Sequence, residues 1–187
     1  TNGCQSTDVI TITVNPIPTV APIQSIVLCA GSQTPNISFV GSVPGTTFTW
    51  TNSDPSINLV ASNTSSSIAP FTVTNNTAQP KVATITVTPI YTFNGLPCAG
   101  TPQTFTITVN PIPTVAPIQS IVLCAGSQTP NIAFVGSVPG TTFNWTNDNQ
   151  SINLAASGTS NSIAPFTLTN NTSQPKVATI TVTPIYT

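Results

Sequence analysis

The chain has 187 residues, of which 3% are charged: two lysines and three aspartates. An ordinary soluble domain is about 25% charged. Because the chain has no His, Glu or Arg, it cannot assemble a usual acid–base pair or a Ser-His-Asp unit.

The same composition excludes several other classes of site. The His and Cys clusters that bind zinc and the acidic loops that bind calcium are missing. Two lysines neutralise too few phosphates for nucleic acid to be a partner, and no apolar run approaches the roughly 18 residues that span a membrane. We therefore predict no enzyme, catalytic residue, cofactor or metal site, and no membrane insertion of this segment.

The chain repeats itself with a period of 95 residues. The segment from Asn15 returns at Asn110, and residues 15–92 differ from 110–187 at ten of 78 positions. We predict that 1–14 is the final strand of a preceding repeat and that 15–109 is a complete repeat, here called unit 1. Residues 110–187, here called unit 2, are predicted to be a second repeat that lacks its last loop and strand.

Within unit 1, Thr and apolar residues alternate at a period of two, which is typical of half-buried strands. In chain order the pattern predicts strands at 25–28, 37–40, 47–51, 57–60, 71–74, 84–88 and 104–109. Turn residues such as Asn94-Gly95 separate them, and no segment has helical periodicity. The sequence therefore predicts an all-β chain of tandem immunoglobulin-like β-sandwich domains of about 95 residues. Trp50 and Trp145 are the expected core aromatics.

Prolines mark the start of each unit. Val14-Asn15-Pro16-Ile17-Pro18 predicts a short, extended and semi-rigid connector, because proline restricts the backbone and blocks unwanted strand pairing at an edge. Successive units would then lie in a line.

Four motifs together resemble the PKD-like domain, a tandem repeat of giant surface proteins in Bacteroidota. They are VLCAG at 27–31, FTWTN at 48–52, ATITVTP at 83–89 and TITVNP at 106–111. The resemblance covers essentially the whole chain. It implies a β-sandwich, export by the type IX secretion route to the cell surface, and a role in adhesion, gliding or filaments, with no catalytic residues to carry over.

Four cysteines without a Cys-x-x-Cys motif suggest structural disulfides and an oxidising compartment. We favour a bond between Cys29 and Cys98, which leaves Cys4 and Cys124 with partners outside the segment. Cys4–Cys29 with Cys98–Cys124, across the junctions, is an alternative, and so are bridges between chains. Strand counting favours these alternatives, because it places Cys29 and Cys98 at opposite ends of the unit.

Lys81 and Lys176 occupy the same position in the two units. One hypothesis is a Lys–Asn isopeptide crosslink, which needs a buried acid, and Asp54 is the nearest candidate in sequence. The simpler interpretation is a solvated lysine at the start of a strand.

These features predict a structural segment of a secreted, extracellular bacterial fibre. Its partners would be copies of itself, because an almost neutral surface favours association. The alternative is an adhesin module that binds glycans or other cells, which would present exposed Trp or Tyr side chains.

Overall fold

Unit 1 forms eight strands and one 3-10 turn at Pro55–Ile57. The computed structural model describes residues 3–187, so Thr1 and Asn2 of the predicted strand 1–14 lie outside the described residues. The strands are β1 (Ile26–Cys29), β2 (Ile37–Ser38), β3 (Thr47–Asn52), β4 (Ser62–Thr64), β5 (Ser67–Ile68), β6 (Lys81–Phe93), β7 (Leu96–Ala99) and β8 (Gln103–Asn110).

The main sheet has the order β1-β8-β6-β3-β4, with β7 returning along the far end of β6. All pairs in it are antiparallel except β1 and β8, which run parallel with Ile26 opposite Ile107 and Cys29 opposite Asn110. A second layer consists of β2 paired with β5, extended by isolated bridges at Val20–Gly41 and Gln33–Thr72. The layers form the expected all-β sandwich.

Alternation along the long strands builds the core between these layers. On β6, Ala83, Ile85 and Val87 are fully buried, and on β8, Ile107 and Val109 are too. The threonines between them face outward or are half-buried. A strand turns successive side chains to opposite faces, so the Thr-apolar alternation in the sequence is the physical origin of a sheet with one apolar face.

Two of the predicted strands are wrong. Residues 57–60 do not form a strand, because Asp54 caps the 3-10 turn and Asn58 ends it in the left-handed conformation at φ 74°. The strand of that region is β4, further along the chain. Residues 71–74 contribute only the bridge at Thr72.

The other predicted strands are confirmed with changed ends: 84–88 lies within the longer β6, and 37–40 shortens to β2. Asn94 and Gly95 both have positive φ, at 49° and 79°. This is the conformation that a tight hairpin turn between β6 and β7 requires.

Unit 2 repeats only part of this arrangement. Its strands are β9 (Ile132–Ala133), β10 (Thr142–Asn147), β11 (Ser157–Thr159), β12 (Ser162–Ile163) and β13 (Ile180–Ile185), with a 3-10 turn at Gln150–Ile152. The pairing of β10 with β11 and β13 repeats that of β3 with β4 and β6 residue for residue.

Unit 2 loses the strands that depend on β8. Residues 121–124, the counterpart of β1, form no strand, and residues 176–179, the counterpart of the start of β6, form none either. In unit 1, β8 is the neighbour of both segments. Without that partner their backbone groups have no ladder to join, although the two sequences are identical to those in unit 1.

Residues 3–14 also form no strand, and their apolar side chains are exposed. The prediction that 1–14 is a final strand stays a prediction, because a strand exists only beside a partner. Within the described residues of this chain, the segment has no sheet edge beside it.

Hydrogen exchange tests this account of the two units. We expect the backbone amides of residues 81–84 to be protected by the ladder with β8 and those of the identical residues 176–179 to exchange much faster. Mass spectrometry of peptides from the two regions of one sample measures both, and each is the control for the other. Equal protection would contradict the dependence on β8.

Candidate functional site: the last-strand groove and the junction

The feature of unit 1 with functional potential is the groove that holds β8. The strand lies between β1 on one side and β6 on the other, with Ile107 opposite both Ile26 and Ala83. Its inward side chains belong to the same buried core cluster as Val73 and Ile57, which are both fully buried. The groove therefore selects a strand that runs parallel to β1 and antiparallel to β6 and that has an apolar side chain at every second residue.

Asn75 fastens the end of β8. Its side-chain amide donates to the Val109 carbonyl at 2.7 Å and to the Gln79 carbonyl at 2.8 Å, and its oxygen accepts from the Thr77 amide at 2.9 Å. Asn75 is buried, so these bonds satisfy groups that water does not reach. In unit 2, Asn170 keeps the local bond to the Gln174 carbonyl at 2.9 Å, and the counterpart of Val109 is absent.

The junction between the units is packed at Pro111 and Val138. Pro111 is fully buried, whereas its counterpart Pro16 is exposed. Val138 is 4% exposed, whereas Val43 is only half-buried. A cleft beside them is lined by the 74–78 loop of unit 1 and by unit 2 residues. The start of unit 2 is therefore buried against unit 1.

The opposite end of unit 1 is closed by Gly100. A β-carbon there would overlap the Pro18 carbonyl oxygen, so only glycine lets the loop before β8 lie against the start of the unit. Pro18 is fully buried beneath it. In unit 2, Pro113 is half-buried, since the counterpart of that loop is absent.

The predicted pairing of Cys29 with Cys98 is incompatible with this fold. Cys29 lies beside Asn110, next to the start of β6, whereas Cys98 lies opposite Tyr91, near the end of β6. About ten residues of strand separate them, or about 30 Å, and a disulfide needs Cα atoms within about 7 Å. Among the described residues all four cysteines, including Cys4 and Cys124, are free thiols. Bridges to other units or chains stay predictions.

Lys81 lies at the start of β6, and its Nζ donates to Ser56 Oγ at 2.7 Å. The equivalent Lys176 Nζ donates to the Ser151 carbonyl at 3.1 Å. Both bonds are exposed and go to serines, so this geometry gives no support to the Lys–Asn crosslink. The Ser56 hydroxyl also donates to Asp54, which lowers the pKa of that carboxyl, and the positive charge of Lys81 lowers it further.

The two tryptophans lie in the sandwich core. Trp50 is 3% exposed and Trp145 is 7% exposed. Each indole nitrogen donates to a serine hydroxyl of the following loop, Ser65 at 2.9 Å and Ser160 at 3.3 Å. Tyr91 is half-buried. These side chains therefore present no aromatic platform to a glycan.

Residues 3–187 hold no group of three or more His, Cys, Asp or Glu side chains placed to bind a metal ion. They also hold no helix that is long and apolar enough to cross a membrane.

Substitution of Asn75 tests the fastening of β8. Asn75→Ala leaves the buried Val109 carbonyl without this donor, and we expect unit 1 to lose roughly 1–3 kcal/mol of unfolding free energy. Asn170→Ala is the matched control in unit 2 and should cost less, because Asn170 makes only local bonds. Urea unfolding, followed by hydrogen exchange of peptides from β3 and β10, reports on each unit separately. Equal losses would contradict the proposed contact.

Asp54 gives the 3-10 turn of unit 1 a cap that can be protonated, whereas in unit 2 Asn149 takes its place and caps the turn by accepting from the Ser151 amide at 3.1 Å. The folded-state pKa of Asp54 is below its usual value of 3.8. Its stabilisation is therefore present above about pH 4 and is lost as the pH falls through the folded pKa. The melting temperatures of the wild type and of Asp54→Asn should differ at pH 7, and the difference should shrink as the pH falls below the usual carboxyl pKa of 3.8. A difference that does not change with pH would exclude the carboxylate as its cause.

The comparisons with known proteins agree with this architecture. Residues 27–113, from β1 into the junction, match the PKD-like domain family. No curated protein matches the chain. The match and the two-layer, all-β arrangement identify the fold of unit 1 as a PKD-like β-sandwich of the immunoglobulin-like type, a non-catalytic fold class. Such a domain fits an extracellular adhesion or structural module.

Proposed function

We propose that the chain is a structural repeat segment of a secreted bacterial cell-surface fibre and that it acts by carrying tension. The observation that carries the proposal is the parallel pairing of β1, the first strand of the main sheet, with β8, the last. A pull on the two ends of unit 1 draws Ile26 and Asn110 in opposite directions along the same ladder. The load then falls on all the bonds of that ladder together, as shear.

Additional bonds lie along the same ladder. The Ala30 amide donates to the Asn110 carbonyl at 2.9 Å, and the Thr106 amide donates to Ser25 Oγ at 3.0 Å. Together they extend the β1–β8 contact by one residue at each end. A strand ladder loaded in this direction has no single first bond to open, which suits a module that must stay folded under force.

The junction supports a stiff array. Proline restricts the connecting backbone, and burial of Pro111 and Val138 adds packing between neighbouring units. Each further unit would add one more packed junction to the fibre. Such a stiff fibre would serve adhesion, gliding or attachment to other cells. We place the fibre at the surface of a Bacteroidota cell, exported by the type IX route, which is what the PKD-like resemblance implies. The burial of Trp50 and Trp145 disfavours the alternative of a glycan-binding adhesin module.

Single-molecule force spectroscopy of the chain, tethered at its two ends, tests the proposal. We expect a high-force event that releases the length from Ile26 to Asn110, and a weaker event from unit 2, which lacks the parallel pair. Since the Ala30 amide points at β8, strand alternation points the Leu28 amide there as well. Leu28→Pro should therefore lower the high force strongly, whereas Leu28→Ala, which keeps the amide, is the control.

Two outcomes would contradict a tension-bearing role. One is an unfolding force for unit 1 as low as that of unit 2. The other is a high-force event that Leu28→Pro leaves unchanged.

A further inference from the structure

The main sheet of unit 1 turns a surface made of threonines away from the core. The outward positions of β3, β6 and β8 that alternate with buried side chains are occupied by Thr47, Thr49, Thr51, Thr84, Thr86, Thr88, Thr104, Thr106 and Thr108. These side chains stand in register across the strands, with Thr84 opposite Thr106 and Thr86 opposite Thr104. We call this surface the threonine face. All of its strands lie within residues 26–110.

The threonine face carries no charge. Lys81 is the only charged residue in β1–β8, and it alternates with Val82 so that it lies on the same side of β6 as the buried Ala83. There it reaches Ser56, away from the threonines. A typical solvated surface is about 25–35% charged. The face therefore has no charge that would repel a second surface of the same kind.

One row of the face is apolar. Val27 of β1 and Val82 of β6 both lie opposite Thr108 of β8, so the three side chains stand next to one another. Val27 is 66% exposed and Val82 is 54% exposed. Single exposed valines are ordinary, but a row of them beside threonine methyl groups indicates a surface that gains from being covered.

The chemistry of the face favours a copy of itself as the partner. A threonine hydroxyl both donates and accepts a hydrogen bond, so two such faces can satisfy each other, and their methyl groups pack as in the facing sheets of a sandwich. No aromatic side chain occupies an outward position of β3, β6 or β8, so a sugar ring has nothing to stack on. We propose that the threonine face of unit 1 pairs with the threonine face of a second copy of the chain, across a two-fold axis.

The area of the face sets the strength of this contact. The five strands in the path of the sheet, spaced about 4.8 Å apart and each about six residues long, cover about 480 Å². A stable interface covers about 800 Å² per partner. Pairing through unit 1 alone is therefore weak and reversible.

Repetition of the face strengthens the pairing. In unit 2, β10 and β13 carry exposed threonines at the equivalent outward positions, namely Thr142, Thr146, Thr181 and Thr183. Contacts that are linked in one chain reinforce one another when their geometry lets them engage together. The face thus suits side-by-side association of fibres. This inference rests on the proposed structural role and names its partner, a second copy.

Sedimentation of the full chain over a range of concentrations tests the pairing, with a reducing agent present so that the free thiols cannot crosslink copies. We expect the wild type to associate reversibly. β6 is the middle strand of the sheet, so a two-fold axis brings Thr84 close to Thr84 of the second copy. Thr84→Lys therefore sets two like charges against each other and should weaken association at least about 10-fold.

Ser38→Lys is the matched control. Ser38 is an exposed hydroxyl residue on β2, at an outward position of the other layer, and Thr84 is exposed as well. Both variants should therefore keep the fold, and Ser38→Lys should associate as the wild type does.

A charge swap supplies a second measurement. Thr84→Asp should also associate weakly by itself, whereas a mixture of Thr84→Lys and Thr84→Asp chains should regain association, because opposite charges then meet at the axis. Added salt should reduce this recovery. Damage to the fold of either variant would not be repaired by mixing, so recovery reports on the contact itself.

Three results would overturn the proposal. The wild type could remain monomeric at every concentration, Thr84→Lys and Ser38→Lys could associate equally, or the mixed variants could fail to recover. A monomeric wild type that binds an insoluble polysaccharide, and loses that binding in Thr84→Lys, would assign the face to a glycan instead. None of these results changes the rupture force of unit 1, because that force is measured on single molecules. A failure of face pairing is therefore distinguishable from a failure of the tension-bearing role.

Discussion

The structure depends on one strand having a neighbour on both sides. β8 pairs with β1 in parallel and with β6 in antiparallel fashion, and its side chains complete the core. Where it is present, Ile85, Val73 and Asn75 are buried. Where its counterpart is absent, identical sequences form fewer strands and the same core positions are partly open. The two units of one chain thus serve as an internal comparison of a sandwich with and without its last strand.

This constraint links stability to assembly. Edge strands with unpaired backbone groups attract further strands, and an almost uncharged surface offers little repulsion to oppose them. Within unit 1, β8 fills such an edge from the same chain, between β1 and β6.

Much of the fold could be predicted, because threonine and apolar residues alternate so regularly that β3, β6 and β8 are evident. The 95-residue period of the sequence also gives the length of the repeating unit. The short strands could not be predicted, since Asn58 in a left-handed conformation and the Asp54 cap override the β-propensity of residues 57–60. Asn75 was missed, because nothing in Asn75-Asn76 distinguishes a turn residue from one that reaches β8. The distance between Cys29 and Cys98 could not be predicted either, because it follows from the strand register, which the composition does not contain.

The most direct test of the central claim is to complete unit 2. A chain extended after Thr187 by a copy of residues 93–110 supplies the missing hairpin and last strand in cis. The urea unfolding free energy of unit 2, compared with that of the original chain at a concentration where it is monomeric, should rise to match unit 1. An unfolding free energy that does not change would contradict the claim that the last strand holds the sandwich together.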